Sequence, residues 1–364
     1  MQKVISVVGA RPNFIKISPI LEELDKRKIN NILVHTGQHY SSNMSDNFFK
    51  DLKIRQPEIN LNAGSSNHAR QTAEIMIGLE DVFIKEKPSI VIVVGDVNST
   101  LAAAITASKL GIKIAHVEAG LRSFDFGMPE EINRALTDRI SDYLFCTEKS
   151  GVENLKKEGV NAKKIFLVGN VMIDSIVKNI KKAGHSKIIE ELGLKKTGEN
   201  YCVLTAHRPE NVDSEKNLKV LIDIIDGLQK IIKVICSVHP RTMEKIKEYG
   251  MEGKLKKMKN IVASEPIGYL DFLFLTKNAK FAVTDSGGLQ EETSYLKIPC
   301  LTIRKNTERP ATVEKGTNIV TGLDKKRVLE EVGRILKGNA KKGGRIDLWD
   351  GKAAERIVKI IESV

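Results

Sequence analysis

Residues 89–120 read SIVIVVGDVNSTLAAAITASKLGIKIAHVEAG. The apolar run from Ser89 to Gly95 ends in a polar turn whose hydroxyls open a helix, and a second apolar run, Lys113 to Glu118, follows it. Two short valine- and isoleucine-rich runs joined through a helix predict parallel strands buried on both faces. The same alternation gives strands at Lys3 to Gly9, Asn31 to Thr36, Tyr143 to Thr147 and Ile165 to Gly169. It restarts with Tyr201 to His207, Val234 to His239, Asn260 to Glu265, Phe281 to Thr284 and Pro299 to Ile303. The expected fold is α/β: two doubly wound Rossmann-like domains, residues 1–170 and 171–349, facing a cleft that is the default ligand site. A lysine-rich, turn-prone stretch from about Lys181 to Asn200 reads as the hinge, and a closing helix near Lys352 to Ser363 suits either domain.

Composition narrows the function. A chain of 364 residues with 41% hydrophobic and 29% charged content suits two globular cores. Met1 to Gly9 reads as a first strand rather than a leader, and no apolar run is long enough to span a bilayer, so a cytoplasmic protein without membrane partners is expected. The net charge of +12 comes with only 5% aromatic residues, which leaves few platforms for base stacking and argues against nucleic acid as the partner. Four scattered cysteines, Cys146, Cys202, Cys236 and Cys300, read as buried small hydrophobes, and no histidine or carboxylate spacing suggests a metal.

Polar residues cluster just past the carboxyl ends of the expected strands, where open α/β sheets bind ligands: Arg11, Gln38, His39, Asp96, Glu118, His207, His239, Glu265 and Ser286. The segment HVEAGLRSFDFGMPEEINR, residues 116–134, adds Glu130, Glu131 and Arg134 at a helix start behind Pro129. Carboxylates at strand tips beside arginines suggest acid/base chemistry on an anionic ligand. Asp285-Ser286-Gly287-Gly288 closes a strand and begins a helix, an arrangement whose backbone amides can face a phosphate, and Glu292 one turn inside suits ribose hydroxyls. Capping by Asp285 or Ser286 is the structural alternative there, as capping by Asp96 is after Gly95. Arg11 and Lys16 follow the first strand, and Arg304 and Arg309 follow a later one, as cations for a diphosphate. Neither a three-glycine dinucleotide fingerprint nor a Walker loop is present, so no nicotinamide cofactor or nucleotide triphosphatase is expected.

Taken together, GARPNFIK (9–16), TGQH (36–39), GD (95–96), HVEAGLRS (116–123), PEEINR (129–134), HRPEN (207–211), DSGGLQEE (285–292) and TERP (307–310) resemble the non-hydrolysing UDP-N-acetylglucosamine 2-epimerases almost end to end. The resemblance implies the glycosyltransferase-B architecture, a homodimer, no cofactor, and a terminal helix, 350–364, that crosses back to complete the first domain. It implies interconversion of UDP-GlcNAc and UDP-ManNAc, supplying sugars for surface polysaccharide, through loss of UDP to a 2-acetamidoglucal and its re-addition. It assigns Asp96, Glu118 and Glu130 to the catalytic carboxylates and His207 to the departing diphosphate. Arg11, Ser286, Gly287 and Gly288 match phosphate contacts, Glu292 ribose, and Arg134 and Arg309 sugar or diphosphate positioning; Lys16 and Gln38 are further candidates for substrate binding. Bacterial members are activated by substrate bound beside the active site, through residues resembling Gln38, His39, Arg70, Gln71, Glu131 and His239. The competing readings are a hydrolysing epimerase, a glycosyltransferase on the same architecture, and a non-catalytic sugar-nucleotide sensor.

Overall fold

The computed structural model describes residues 3–37, 52, 54–64, 66–194 and 200–363. Their contacts divide the chain into two compact units, Met1–Lys178 with Asp347–Val364, and Asn179–Ile346. The expected boundary at 170/171 falls at the start of the helix Val171–Ala183, and the contact boundary falls inside that helix.

In the first unit, β1 (Lys3–Val8), β2 (Asn30–His35), β3 (Ile59–Asn60), β4 (Ile90–Val94), β5 (Lys113–Val117), β6 (Tyr143–Cys146) and β7 (Ile165–Leu167) form one sheet in the order β3-β2-β1-β4-β5-β6-β7. Every pairing is parallel. All five residues of β4 are buried, as a parallel strand covered on both faces must be. On one face Ile5, Val7, Val91 and Val93 pack on Ile75, Leu79 and Phe83 of the helix His68–Glu86 and on Ala102, Ala103 and Ala107 of the helix Asn98–Lys109. Those alanines let the second helix sit close to the sheet.

The closing helix Ala353–Glu362 packs on the helix Arg11–Lys26 of this unit. Asp174, buried, accepts the backbone N–H groups of Ala353 (3.2 Å) and Ala354 (2.9 Å) at its start, and burial pushes that carboxyl up to about 6. Trp349, buried just before it, donates from Nε1 to the Thr147 carbonyl (3.3 Å).

In the second unit, β8 (Tyr201–Thr205), β9 (Lys233–Ser237), β10 (Ile261–Ser264), β11 (Phe281–Thr284), β12 (Cys300–Thr302) and β13 (Asn318–Val320) form a parallel sheet in the order β10-β9-β8-β11-β12-β13. Strand periodicity sorts the side chains: Cys202 and Leu204 enter the core under the helix Glu215–Gln229, while Tyr201 and Val203 enter the opposite core with Leu275 and Leu289. Cys202 and Cys236 are both buried in the first of these cores, and burial pushes both thiols up, Cys236 to about 12. In both sheets strand order reverses at the first strand, between β1 and β4 and between β8 and β11, and each reversal opens a crevice at the strands' carboxyl ends. The short β3 and β13 had no counterpart in the sequence reading. Within the expected hinge, helix continues to Ala183 and a short turn of helix spans Ile188–Glu191.

Candidate active site

At the first unit's crevice the chain leaves β1 through Gly9 and Ala10. A Cβ on Gly9 would collide with the Ser99 side chain, so only glycine lets this loop lie against the helix Asn98–Lys109. Asn13, buried, accepts the Ala10 N–H (3.0 Å) and donates to the Val94 carbonyl (2.8 Å), tying the exit of β1 to that of β4. One turn on, Lys16 Nζ lies 2.6 Å from Glu118 Oε2, and both side chains are buried. Glu118 has φ 75°, a left-handed conformation that strains a residue with a Cβ by about 1–2 kcal/mol. Its N–H and that of Ala119 both donate to the Phe145 carbonyl (3.1 Å each), which holds the strained turn.

Asp96 follows β4 with a quarter of its side chain exposed. Val97, not Asp96, occupies the N-cap position of the next helix. Asp96 Oδ2 instead lies 2.5 Å from Arg134 Nη1, while Arg134 Nη2 lies 2.5 Å from Glu131 Oε2. Arg134, expected to meet the ligand, is therefore enclosed and engaged between two carboxylates. Glu131 also accepts Ser123 N–H (3.0 Å), Ser123 Oγ–H (2.9 Å) and Phe124 N–H (2.9 Å). Burial alone would raise its carboxyl, but those donors and Arg134 hold it below the usual carboxylate range. Glu130 sits half-buried in the first turn of the helix Pro129–Ile140, and Arg11 half-buried at the start of the helix Arg11–Lys26.

Among the residues matched to activation, Arg70 is exposed, whereas Gln71 is buried, donating to the Gly64 carbonyl (2.9 Å) and accepting from Asn98 Nδ2 (2.9 Å). Asn133 donates to the Asp96 carbonyl (2.9 Å). Gln38 and His39 lie outside the described residues.

At the second unit's crevice Asp285 is fully buried and is not a helix cap. It accepts the N–H of His207 (2.9 Å), the N–H of Arg208 (2.9 Å) and Asn211 Nδ2 (3.0 Å), with His207 Nδ1 at 3.1 Å. Burial would raise this carboxyl, but the donors outweigh it and take it down to about 2. The clamp fixes the β8 exit to the β11 exit and leaves Nε2 as the ring nitrogen of His207 available to a ligand. His239 stacks on His207 with centroids 5.3 Å apart, and its Nδ1 accepts the Arg241 N–H (3.2 Å).

Ser286 is the N-cap of the helix Gly287–Leu296, but its hydroxyl makes no capping bond. The first amides of that helix, at Gly287 and Gly288, are thus left to meet an anion. Behind them Arg309 Nε lies 2.9 Å from Glu291 Oε1, both side chains buried. Burial and the neighbouring Glu291 push Glu292 up to about 8, with the Tyr269 hydroxyl offsetting part of the effect. Arg304 lies 2.7 Å from Glu308 and 3.3 Å from Glu210.

Sequence reasoning named Lys16 as a candidate but missed Asn13, Asn133 and Asn211. Asn13, Asn133 and Asn211 stand inside quoted motifs, but the partners that give them a role come from other strands. Chemically, the first unit presents ion-paired carboxylates at two adjacent strand tips, and the second presents a helix N-terminus, a clamped histidine and a protonated-range carboxyl.

The family profile described as UDP-N-acetylglucosamine 2-epimerase matches residues 22–362. The UDP-N-acetylglucosamine 2-epimerase of Methanocaldococcus jannaschii is 46% identical over 99% of this chain and 98% of its own length. Its crystal structure in complex with UDP-GlcNAc and UDP superposes with a TM-score of 0.94, covering 100% of both chains. The UDP-2,3-diacetamido-2,3-dideoxy-D-glucuronate 2-epimerase of Pseudomonas aeruginosa is 37% identical over 99% of each chain. A lipopolysaccharide outer core galactosyltransferase, 14% identical with a TM-score of 0.51 over 100% of this chain and 99% of its own, shares the fold alone, which is of the glycosyltransferase-B class.

Proposed function

This chain belongs to the UDP-N-acetylglucosamine 2-epimerase family, and from that premise we propose that it interconverts UDP-GlcNAc and UDP-ManNAc without hydrolysing them. The C2 hydrogen has no carbonyl beside it, so the anomeric C1–O bond breaks first or largely first, and UDP departs with the electron pair. The C2–H bond then gives its proton to a carboxylate and its electrons to a C1=C2 double bond. Re-addition of UDP at C1, with a proton delivered to the opposite face of C2, completes an isomerisation that consumes nothing.

Two faces require two proton-handling groups. Asp96, Glu118 and Glu130 fill those roles in the first unit, and Lys16 gives Glu118 a hydrogen-bonded ammonium that can relay a proton. Ser286, Gly287 and Gly288 hold the diphosphate, His207 donates to it as it leaves, and Glu292 meets the ribose; preorganised donors at developing charge supply most of such a rate enhancement. Arg134 and Glu131 act by fixing Asp96. The single observation that carries the reading is the strained, buried Glu118 ion-paired to Lys16 one strand from Asp96.

A homodimer fits Ile77, Ile84, Phe124, Phe126, Ile132 and Leu136, large apolar side chains that the first unit exposes. No helix among the described residues is long and apolar enough to cross a membrane, which is consistent with a cytoplasmic role in making ManNAc-type sugars for surface polysaccharide. The kinship with a diacetamido-glucuronate epimerase makes a C6-carboxylated sugar the second substrate to assay.

Incubation with UDP-GlcNAc in deuterium oxide tests the proposal. NMR should show deuterium at C2 of both epimers. An unlabelled, unchanged pool would leave only the binding readings, and free ManNAc with UDP would favour a hydrolysing enzyme.

A further inference from the structure

The partners of His116 decide its charge. This side chain is fully buried on β5, with Nδ1 2.6 Å from Asp138 Oδ1 and Nε2 2.8 Å from the Gly95 carbonyl. A carbonyl has no proton to give. Asp138 is held as the carboxylate, because its other oxygen accepts the Gly120 N–H (3.0 Å) and lies 2.7 Å from Arg122 Nη1. Burial would raise the Asp138 carboxyl, but His116 and Arg122 hold it below the usual carboxylate range. Both ring nitrogens must therefore donate.

Arg122 also takes Glu158 in a bidentate pair, 2.8 Å from Nε and 2.8 Å from Nη2. Arg122 thus faces the buried Asp138 on one side and the 40%-exposed Glu158 on the other, and its guanidinium favours the ionised form of Asp138. The Cys146 thiol on β6, raised by burial, feels Asp138 and Arg122, and the Lys16–Glu118 pair lies beside Gly95.

We propose that His116 is a positioning residue, a doubly protonated strut that locks three segments together. Nε2 fixes the exit of β4 immediately before Asp96; its own strand leads into Glu118; and Asp138 joins both to the helix that carries Glu130, Glu131 and Arg134. All three proposed catalytic carboxylates thus take their spacing from one buried cation. The catalytic consequence rests on the epimerase reading, while the protonation state does not.

The test uses the full chain labelled with nitrogen-15 at histidine, its His116 signals identified by their loss in H116Q and H116N and their displacement in D138N. Two protonated ring nitrogens at neutral pH are expected; a neutral tautomer overturns the proposal. The two substitutions also divide the strut. Glutamine places its amide near the Nε2 position and can still donate to Gly95, whereas asparagine reaches only Asp138. H116Q should keep roughly ten-fold more kcat than H116N, about one buried hydrogen bond, with KM little changed. Equal losses, or a loss in KM alone, overturn it. A wild-type chain that exchanges no deuterium would sink the epimerase reading and leave the spectrum to decide the strut.

Discussion

Replacing Lys16 by methionine keeps the stem and removes the ammonium, leaving Glu118 as a buried carboxylate without its closest counter-ion. At 2.6 Å and an effective dielectric near 20, the attraction is about 6 kcal/mol, and desolvation of both groups offsets a large part of it. Breaking such a pair from one side costs about 3–5 kcal/mol, so K16M should lose that much stability. The double variant K16M/E118Q removes both charges and should recover to within about 1 kcal/mol of wild type, regaining about 2–4 kcal/mol over K16M.

The chain's single tryptophan makes the measurement specific. Trp349 is buried in the first unit, so urea titration followed by its fluorescence reports that unit even if the other unfolds separately. K16M within about 1 kcal/mol of wild type, or a double variant as unstable as K16M, would refute the ion-pair argument. Deuterium exchange should vanish in the double variant although its stability returns. That separates the chemical role of Glu118 from its packing.

Asp285 is taken from a reference of 3.8 to about 2, so its carboxylate adds about 2 kcal/mol above pH ~4, and this is lost as pH falls toward 2. D285N should unfold more easily at pH 7 and flatten the acid limb of the stability curve; an unchanged limb would contradict the clamp. Glu292, raised to about 8, is largely protonated at neutral pH and contributes stability fully present below its reference 4.5 and lost as pH rises through 8. Binding of UDP, followed by calorimetry, should weaken above pH ~8 in wild type and become flat in E292Q; parallel profiles for the two would show that Glu292 does not meet the nucleotide.

The sequence by itself determined the two doubly wound sheets, because the signal is local. β4 and β5 are continuous apolar runs, β8 sorts its side chains by twos, and each run ends at a polar turn. It also brought Asp96, Glu118, His207 and Ser286 to strand exits, since a residue's place along a strand needs no knowledge of the neighbouring strand. β3, two residues long, and β13, three, carry too little periodicity to be read.

Partnership was decided only by the tertiary structure. Lys16 meets Glu118 across 102 residues, and Asp285 reaches back 78 to receive His207. From the sequence Asp285 suits a cap for the helix that follows it; in the fold it faces the other way, because β11 lies beside β8 and the donors exposed at β8's end outcompete the local ones. Arg134, a candidate ligand cation in the sequence, likewise meets Glu131 and Asp96 only through the fold. A side chain's chemistry is written in its own residue, but its charge state and its task are set by whatever the strand order places within hydrogen-bonding reach.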